Sequence, residues 1–133
     1  MSAAVATARE QTARIARLND LARSAMGVAC TAVATVGFRS LSASDQSCVR
    51  ELIETYEAFD EDNDPHGERD FGTIYQLGDG RWTTERPKSR DDERERVFWK
   101  FDYYDRDLRF GSDDAAKPAI TRRVLTIMLA DEY

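Results

Sequence analysis

Ile15, Leu18, Leu21, Ala22 and Met26 recur at steps of three and four residues, while Arg14, Arg17, Asn19 and Asp20 fill the positions between them. That spacing predicts an amphipathic helix over Ala6–Met26, with Gly27 as its stop. Val28–Phe38 is rich in Val, Thr and Ala with loose alternation. It reads as a strand, because β-branched side chains fit a pleated surface better than a helix interior. Ser42 or Ser44 then caps a second helix, whose apolar stripe is Val49, Leu52, Ile53, Tyr56 and Phe59. Pro65-His66-Gly67 prevents the loop that follows from continuing as helix.

Strand patterns dominate the second half. Phe71–Leu77 alternates, Gly78-Asp79-Gly80 signals a tight turn, and Arg81–Glu85 supplies the return strand of a hairpin. Pro87–Arg96 carries mixed charge without an apolar run and reads as a mobile, solvated connection. Val97–Tyr104 is the clearest strand. It sets Val97, Trp99, Phe101 and Tyr103 on one face, with Phe98, Lys100, Asp102 and Tyr104 on the other. Residues 118–130 fit either a helix opened by Pro118 or a central strand over Arg123–Leu129, and the β-branched Val-x-Thr-Ile core favours the strand. Together these elements predict an α+β fold: two helices packed on a mostly antiparallel sheet of about four to six strands. The 133 residues suffice for one domain, 1–133, with residues 1–12 as a frayed or disordered arm.

Charge sharpens this picture. Between Glu57 and Asp70 lie seven acids and one base, Arg69, so this segment alone carries the net charge of −6 of the whole chain. With a pI near 4.8 the protein is a poor candidate for direct nucleic-acid binding, which needs a basic surplus to displace counterions. The partner this balance suits is a protein with a basic surface, such as the DNA channel of a nuclease. Asp60, Glu61, Asp62 and Asp64 are the residues expected to meet it. Arginine greatly outnumbers lysine, so internal forked pairs are expected to neutralise much of the remaining charge. Cys30 and Cys48 match no metal or redox spacing, as expected of reduced thiols in the cytosol. No apolar run is long enough to span a membrane, so the expected protein is soluble and cytoplasmic.

The acidic run fails as an EF-hand. Counted from Asp60, the sixth residue is Pro65 and the twelfth Phe71, where that loop needs Gly and Glu. A looser site remains, in which Asp64, His66, Glu68 and Asp70 hold a divalent cation or pass a proton. No other cofactor is expected, and a solvated acidic loop outranks the metal site. A second polar cluster, Asp102, Tyr104 and Asp105 beside Lys100, could form a catalytic face. The competing reading is an exposed sheet face, with Arg106 and Arg109 satisfying the aspartates. Nucleophile elbows, phosphate-binding loops and dinucleotide fingerprints are absent from the sequence.

Three blocks together resemble a known family. They are Asn63-Asp64-Pro65-His66-Gly67-Glu68 with Asp70-Phe71-Gly72, then Phe98-Trp99-Lys100 with Asp102–Leu108, and finally Arg123–Tyr133. The chain from Ile15 to Tyr133 is similar to a bacterial family catalogued as domain of unknown function 3768. The family usually carries His where this chain has Arg69, so its pattern implies no metal or proton-transfer role at that position here. Its members are often met on plasmids and other mobile elements, which implies an accessory or anti-defence factor. The first expectation is therefore a small acidic binding protein without enzymatic activity. The alternative is a metal-dependent hydrolase using the Asp64–Asp70 turn with Asp102 and Asp105, provided the two clusters meet at one end of the sheet.

Overall fold

Alternation in the second half of the chain is realised as one five-stranded sheet in the computed structural model, which describes residues 7–133. Its strands are β1 (Thr31–Ala34), β2 (Phe71–Leu77), β3 (Trp82–Thr83), β4 (Glu93–Tyr104) and β5 (Arg122–Leu129), in the order β1-β5-β4-β2-β3. Among these five strands, β1–β5 is the one parallel pair. Three helices complete the fold: α1 (Ala8–Ser24), the single turn α2 (Val36–Arg39) and α3 (Ala43–Glu54). The architecture is the α+β class expected, with one short helix more than the pattern predicted.

Register explains which side chains enter the core. Gly72 lies opposite Trp99 and Ile74 opposite Val97, while Ile127, Leu125 and Arg123 oppose Trp99, Phe101 and Tyr103. Directly opposed residues share a sheet face. That face meets Ala22 of α1, Phe38 of α2, and Val49 and Ile53 of α3. On the other face Phe71, Phe98 and the C-terminal Tyr133 form an aromatic trio, with ring centroids 5.2–6.3 Å apart.

Several local expectations need correction. The Val28–Phe38 stretch is extended only over Thr31–Ala34, and its last residues wind into α2 so that Phe38 reaches the core. Glu132 stabilises that corner by accepting from Thr35 Oγ1 (2.5 Å), Gly37 N (2.8 Å) and Leu129 N (3.0 Å). Residues 93–96 of the supposed mobile connection belong to β4, because Arg96, Glu95 and Glu93 pair with Tyr75, Gln76 and Leu77. The return strand after Gly80 is only Trp82–Thr83. At the C-terminus Pro118 opens just a 3-10 turn, Pro118–Ile120, and the strand alternative holds. The frayed arm expected over residues 1–12 falls partly outside the described residues; from Ala8 onward that stretch is helix, capped by Thr7.

The largest correction concerns α1. Leu21, expected on the apolar stripe, is 65% exposed, whereas Asn19, expected outside, is buried with Ala22 and Arg23. Tyr56 and Phe59 lie past the end of α3 yet still pack on Trp99, with centroids 5.3 and 6.0 Å from its ring. Gly72 makes this packing possible, since a Cβ there would lie 2.6 Å from Cε2 of the Trp99 indole. Gly72→Ala is therefore expected to destabilise by about 1–3 kcal/mol, the usual cost of overpacking. Gly78→Ala, where a Cβ meets nothing within 4 Å, should stay within about 0.5 kcal/mol. Urea unfolding of the two variants checks the pair.

Candidate functional site

The turn between α3 and β2 is held against α1 and the sheet by two linked sets of polar contacts. Its backbone first dictates its shape. Gly67 and Arg69 both take the left-handed region, φ 74° and 55°. For Arg69 that conformation carries a Cβ penalty, and such strain persists only where surrounding contacts over-determine it. Here Asp64 Oδ1 accepts the Arg69 N–H (3.0 Å), so the aspartate's role is to close the turn.

The Arg69 side chain then forms the first set. It donates to Asp20 Oδ2 (2.6 Å) and Glu57 Oε2 (2.7 Å) and lies 4.5 Å from the centre of the Phe59 ring. Asp20 also accepts from Arg23, giving an alternating chain Glu57–Arg69–Asp20–Arg23. Arg23 is buried and donates to the carbonyls of Ile53 (2.9 Å) and Tyr56 (3.1 Å), closing off the C-terminal end of α3. Burial lowers its pKa and the adjacent Asp20 opposes that shift. Arg23 Nε and Trp99 Nε1 are buried without a hydrogen-bond acceptor among the described residues, and the guanidinium lies 5.1 Å from the indole ring.

Asn19 organises the second set. Its Nδ2 donates to Glu68 O (3.0 Å) and to the Tyr103 hydroxyl (2.8 Å), and its Oδ1 accepts from Arg123 Nε (2.9 Å). Tyr103 donates in turn to Glu68 Oε1 (3.1 Å). One buried amide thus ties together α1, the turn, β4 and β5. Burial raises the Tyr103 pKa well above its ordinary value, so the hydroxyl is a fixed donor rather than a titrating acid. Asp70 follows at the mouth of β2, where its carbonyl accepts from Phe101 N (2.8 Å) and continues the ladder.

The clusters nominated from the sequence do reach the same end of the sheet, since Phe71 pairs with Lys100. They do not share a face. Glu68 meets Tyr103 on the helix side, whereas Asp102 and Tyr104 have the opposite parity. Asp102 pairs with Lys100 at 2.8 Å instead of with Arg106 or Arg109, and Tyr104 is exposed. Asp105 caps its own loop by accepting from the backbone N–H groups of Asp107 (3.1 Å) and Arg109 (3.0 Å). His66 stands exposed at the apex of the turn. Among the described residues no three His, Cys, Asp or Glu side chains are placed to hold a metal ion.

The family comparison returns the description "Protein of unknown function (DUF3768)", matched over residues 34–132. The chain belongs to this DUF3768 family. No curated protein and no solved structure gives a significant match. The matched span of the DUF3768 protein starts at the last residue of β1, later than the Ile15 from which the resemblance was expected to run. It contains the turn, Tyr103, Arg123 and Glu132, and leaves α1 with Asn19, Asp20 and Arg23 outside. No helix is long and apolar enough to cross a membrane among the described residues.

Asn19, Arg23, Tyr103 and Arg123 were not among the expected site residues. A signal for Asn19 does exist in the pattern: Ile15, Asn19, Ala22 and Met26 sit at steps of four, three and four, as regular a stripe as the leucines make. Asn19→Leu, which keeps the volume and removes the hydrogen bonds, strands Arg123 Nε and the Glu68 carbonyl. It is expected to cost about 3 kcal/mol, the upper end for a buried unsatisfied group, by chemical denaturation.

Asp70 offers a pH test. Burial raises its pKa above 3.8, with Glu68 and Asp64 adding to the shift. The folded protein therefore holds this proton more tightly than the unfolded chain, and the ionised carboxylate costs stability once the pH passes its folded pKa. Asp70→Asn should melt higher than the natural protein at neutral pH, and the gap should close as the pH falls below 3.8.

Proposed function

We propose that this protein is a non-catalytic binding protein that presents the acidic loop Asp60–Asp64 to a basic protein surface, as an accessory or anti-defence factor. The observation that carries this reading is a fixed loop with unused charge. Asn63 Oδ1 accepts from Asp60 N (2.9 Å), Asn63 Nδ2 donates to Ala58 O (2.8 Å), and Asp60 Oδ1 accepts from the N–H groups of Asp62 and Asn63. Glu61 and Asp62 are exposed and take no ion-pair partner among the described residues. Preorganised charge of this kind lowers the ordering cost of association and steers an oppositely charged partner.

A groove of about 570 Å³ beside the loop supports the same reading. Asp60 and Asp62 share it with the rings of Phe71, Tyr75 and Phe98. Such a site suits a partner's arginine or lysine, with a carboxylate for the charge and a ring face for the stem. Arg86 and Arg96 also line the groove, the latter neutralised by Glu93 at 2.6 Å. The hydrolase alternative has less behind it, because Glu68 meets Tyr103 on the helix side of the sheet while Asp102 has the parity opposite to Tyr103.

Glu61→Lys/Asp62→Lys removes charge without touching the hydrogen bonds that shape the loop. For a partner captured from host cytosol and then purified, titration calorimetry should show affinity reduced at least about tenfold, roughly 1.4 kcal/mol. The salt dependence should flatten as well. Glu51→Lys on the exposed face of α3 is the control, and equal affinity in the loop variant sinks the reading.

A further inference from the structure

Arg123 is 7% exposed and has no carboxylate partner among the described residues. Its guanidinium is met only by neutral acceptors, Asn19 Oδ1 and the carbonyl of Ala115, and by the Tyr103 ring at 5.3 Å. Glu68, whose charge favours the guanidinium, makes no direct contact with it and is linked to it through Asn19 and the Tyr103 hydroxyl. Buried guanidinium groups are ordinarily paired with an anion. Arg123 also lines a cavity of about 560 Å³ together with Arg106, Cys30 and Thr121; Arg122 borders it as well but, opposite Tyr104 in the sheet, has the parity opposite to Arg123. No acidic residue lines it. The side chains of Arg106 and Arg122 make no hydrogen bond or ion pair among the described residues. Arg106 and Arg123 therefore line one recess free of carboxylates in a protein whose net charge is −6.

A second recess, of about 310 Å³, shares Arg106, Thr121 and Arg123 with the first and adds Leu18, Leu21 and Pro118. It also explains why Leu21 sits outward on α1, since that side chain forms part of an apolar wall. We propose that the paired recesses bind a small organic anion. Its carboxylate or phosphate group would lie between Arg106 and Arg123, which line both recesses, and its apolar body along Leu18, Leu21 and Pro118. The size falls within the range of small-molecule sites, and forked guanidinium groups match both head groups. The head group supplies the counter-ion that Arg123 lacks. This site lies apart from the acidic loop and does not depend on the reading of that loop.

Phenyl phosphate, phenylacetate and inorganic phosphate serve as probes for titration calorimetry on the full chain. Saturable binding of phenyl phosphate or phenylacetate is expected, and the tighter of the two identifies the head group. Arg106→Ala should weaken it at least about tenfold with an unchanged circular dichroism spectrum, because this side chain makes no hydrogen bond or ion pair among the described residues. Leu21→Ser should weaken the aryl probes and leave inorganic phosphate unaffected. Arg50→Ala, on the exposed face of α3, should change nothing. Absence of saturable binding by either aryl probe, or equal binding in the Arg106 variant, overturns the proposal. Inorganic phosphate binding as tightly as phenyl phosphate overturns the apolar half of it.

Discussion

A fully buried amide must have its donors and acceptor satisfied, and in this protein that requirement falls on Asn19. Its two donated bonds and one accepted bond reach Glu68, Tyr103 and Arg123, so α1, the turn, β4 and β5 cannot be positioned independently. Removing the amide leaves several buried groups unpaired at once, and each unpaired group costs more than a paired one contributes. The ion-pair chain from Glu57 to Arg23 reinforces the same junction from its more exposed side.

This junction divides the seven acids of the Glu57–Asp70 segment into distinct roles. Glu57 neutralises Arg69, Asp64 closes the turn, Glu68 accepts from Tyr103, and Asp70 pays a desolvation cost at the mouth of β2. Asp60 shapes its own loop, which leaves Glu61 and Asp62 as charge with no internal use. A run that reads as one uniform acidic feature is thus mostly structural, with its outward-facing part confined to a few residues. Arginine is divided in the same way. Arg69 and Arg96 are paired, Arg23 is partly compensated, and Arg106 and Arg123 line a cavity that no acid borders.

Much of the sheet was legible because alternation reports directly on which face a residue occupies. The Val97–Tyr104 parity, the Gly78–Gly80 turn and the Ser42 cap all appear as expected. The failures share a cause. Residues 93–96 alternate charges rather than apolar and polar residues, so a strand pairing across to β2 left no hydrophobic trace. Val36–Arg39 has strand-like composition, but burying Phe38 and accepting the Glu132 carboxylate favours a turn of helix there. In α1 the expected stripe reaches the core at Ala22 and Met26, but Leu21 faces outward, and the polar Asn19 and Arg23, which hydrophobicity cannot mark as interior, are buried beside Ala22.

Local sequence by itself determined the fold class, most strands, the helix caps and the segregation of acid into one segment, since these depend on periodicity and nearest neighbours. Which polar residues are buried was decided only by tertiary structure. Asn19 lies 84 positions from Tyr103 and 104 from Arg123 in the chain, and nothing local to any of the three announces the others. A polar side chain becomes an interior one when distant groups satisfy its hydrogen bonds, and that satisfaction exists only once the strands and α1 have come together.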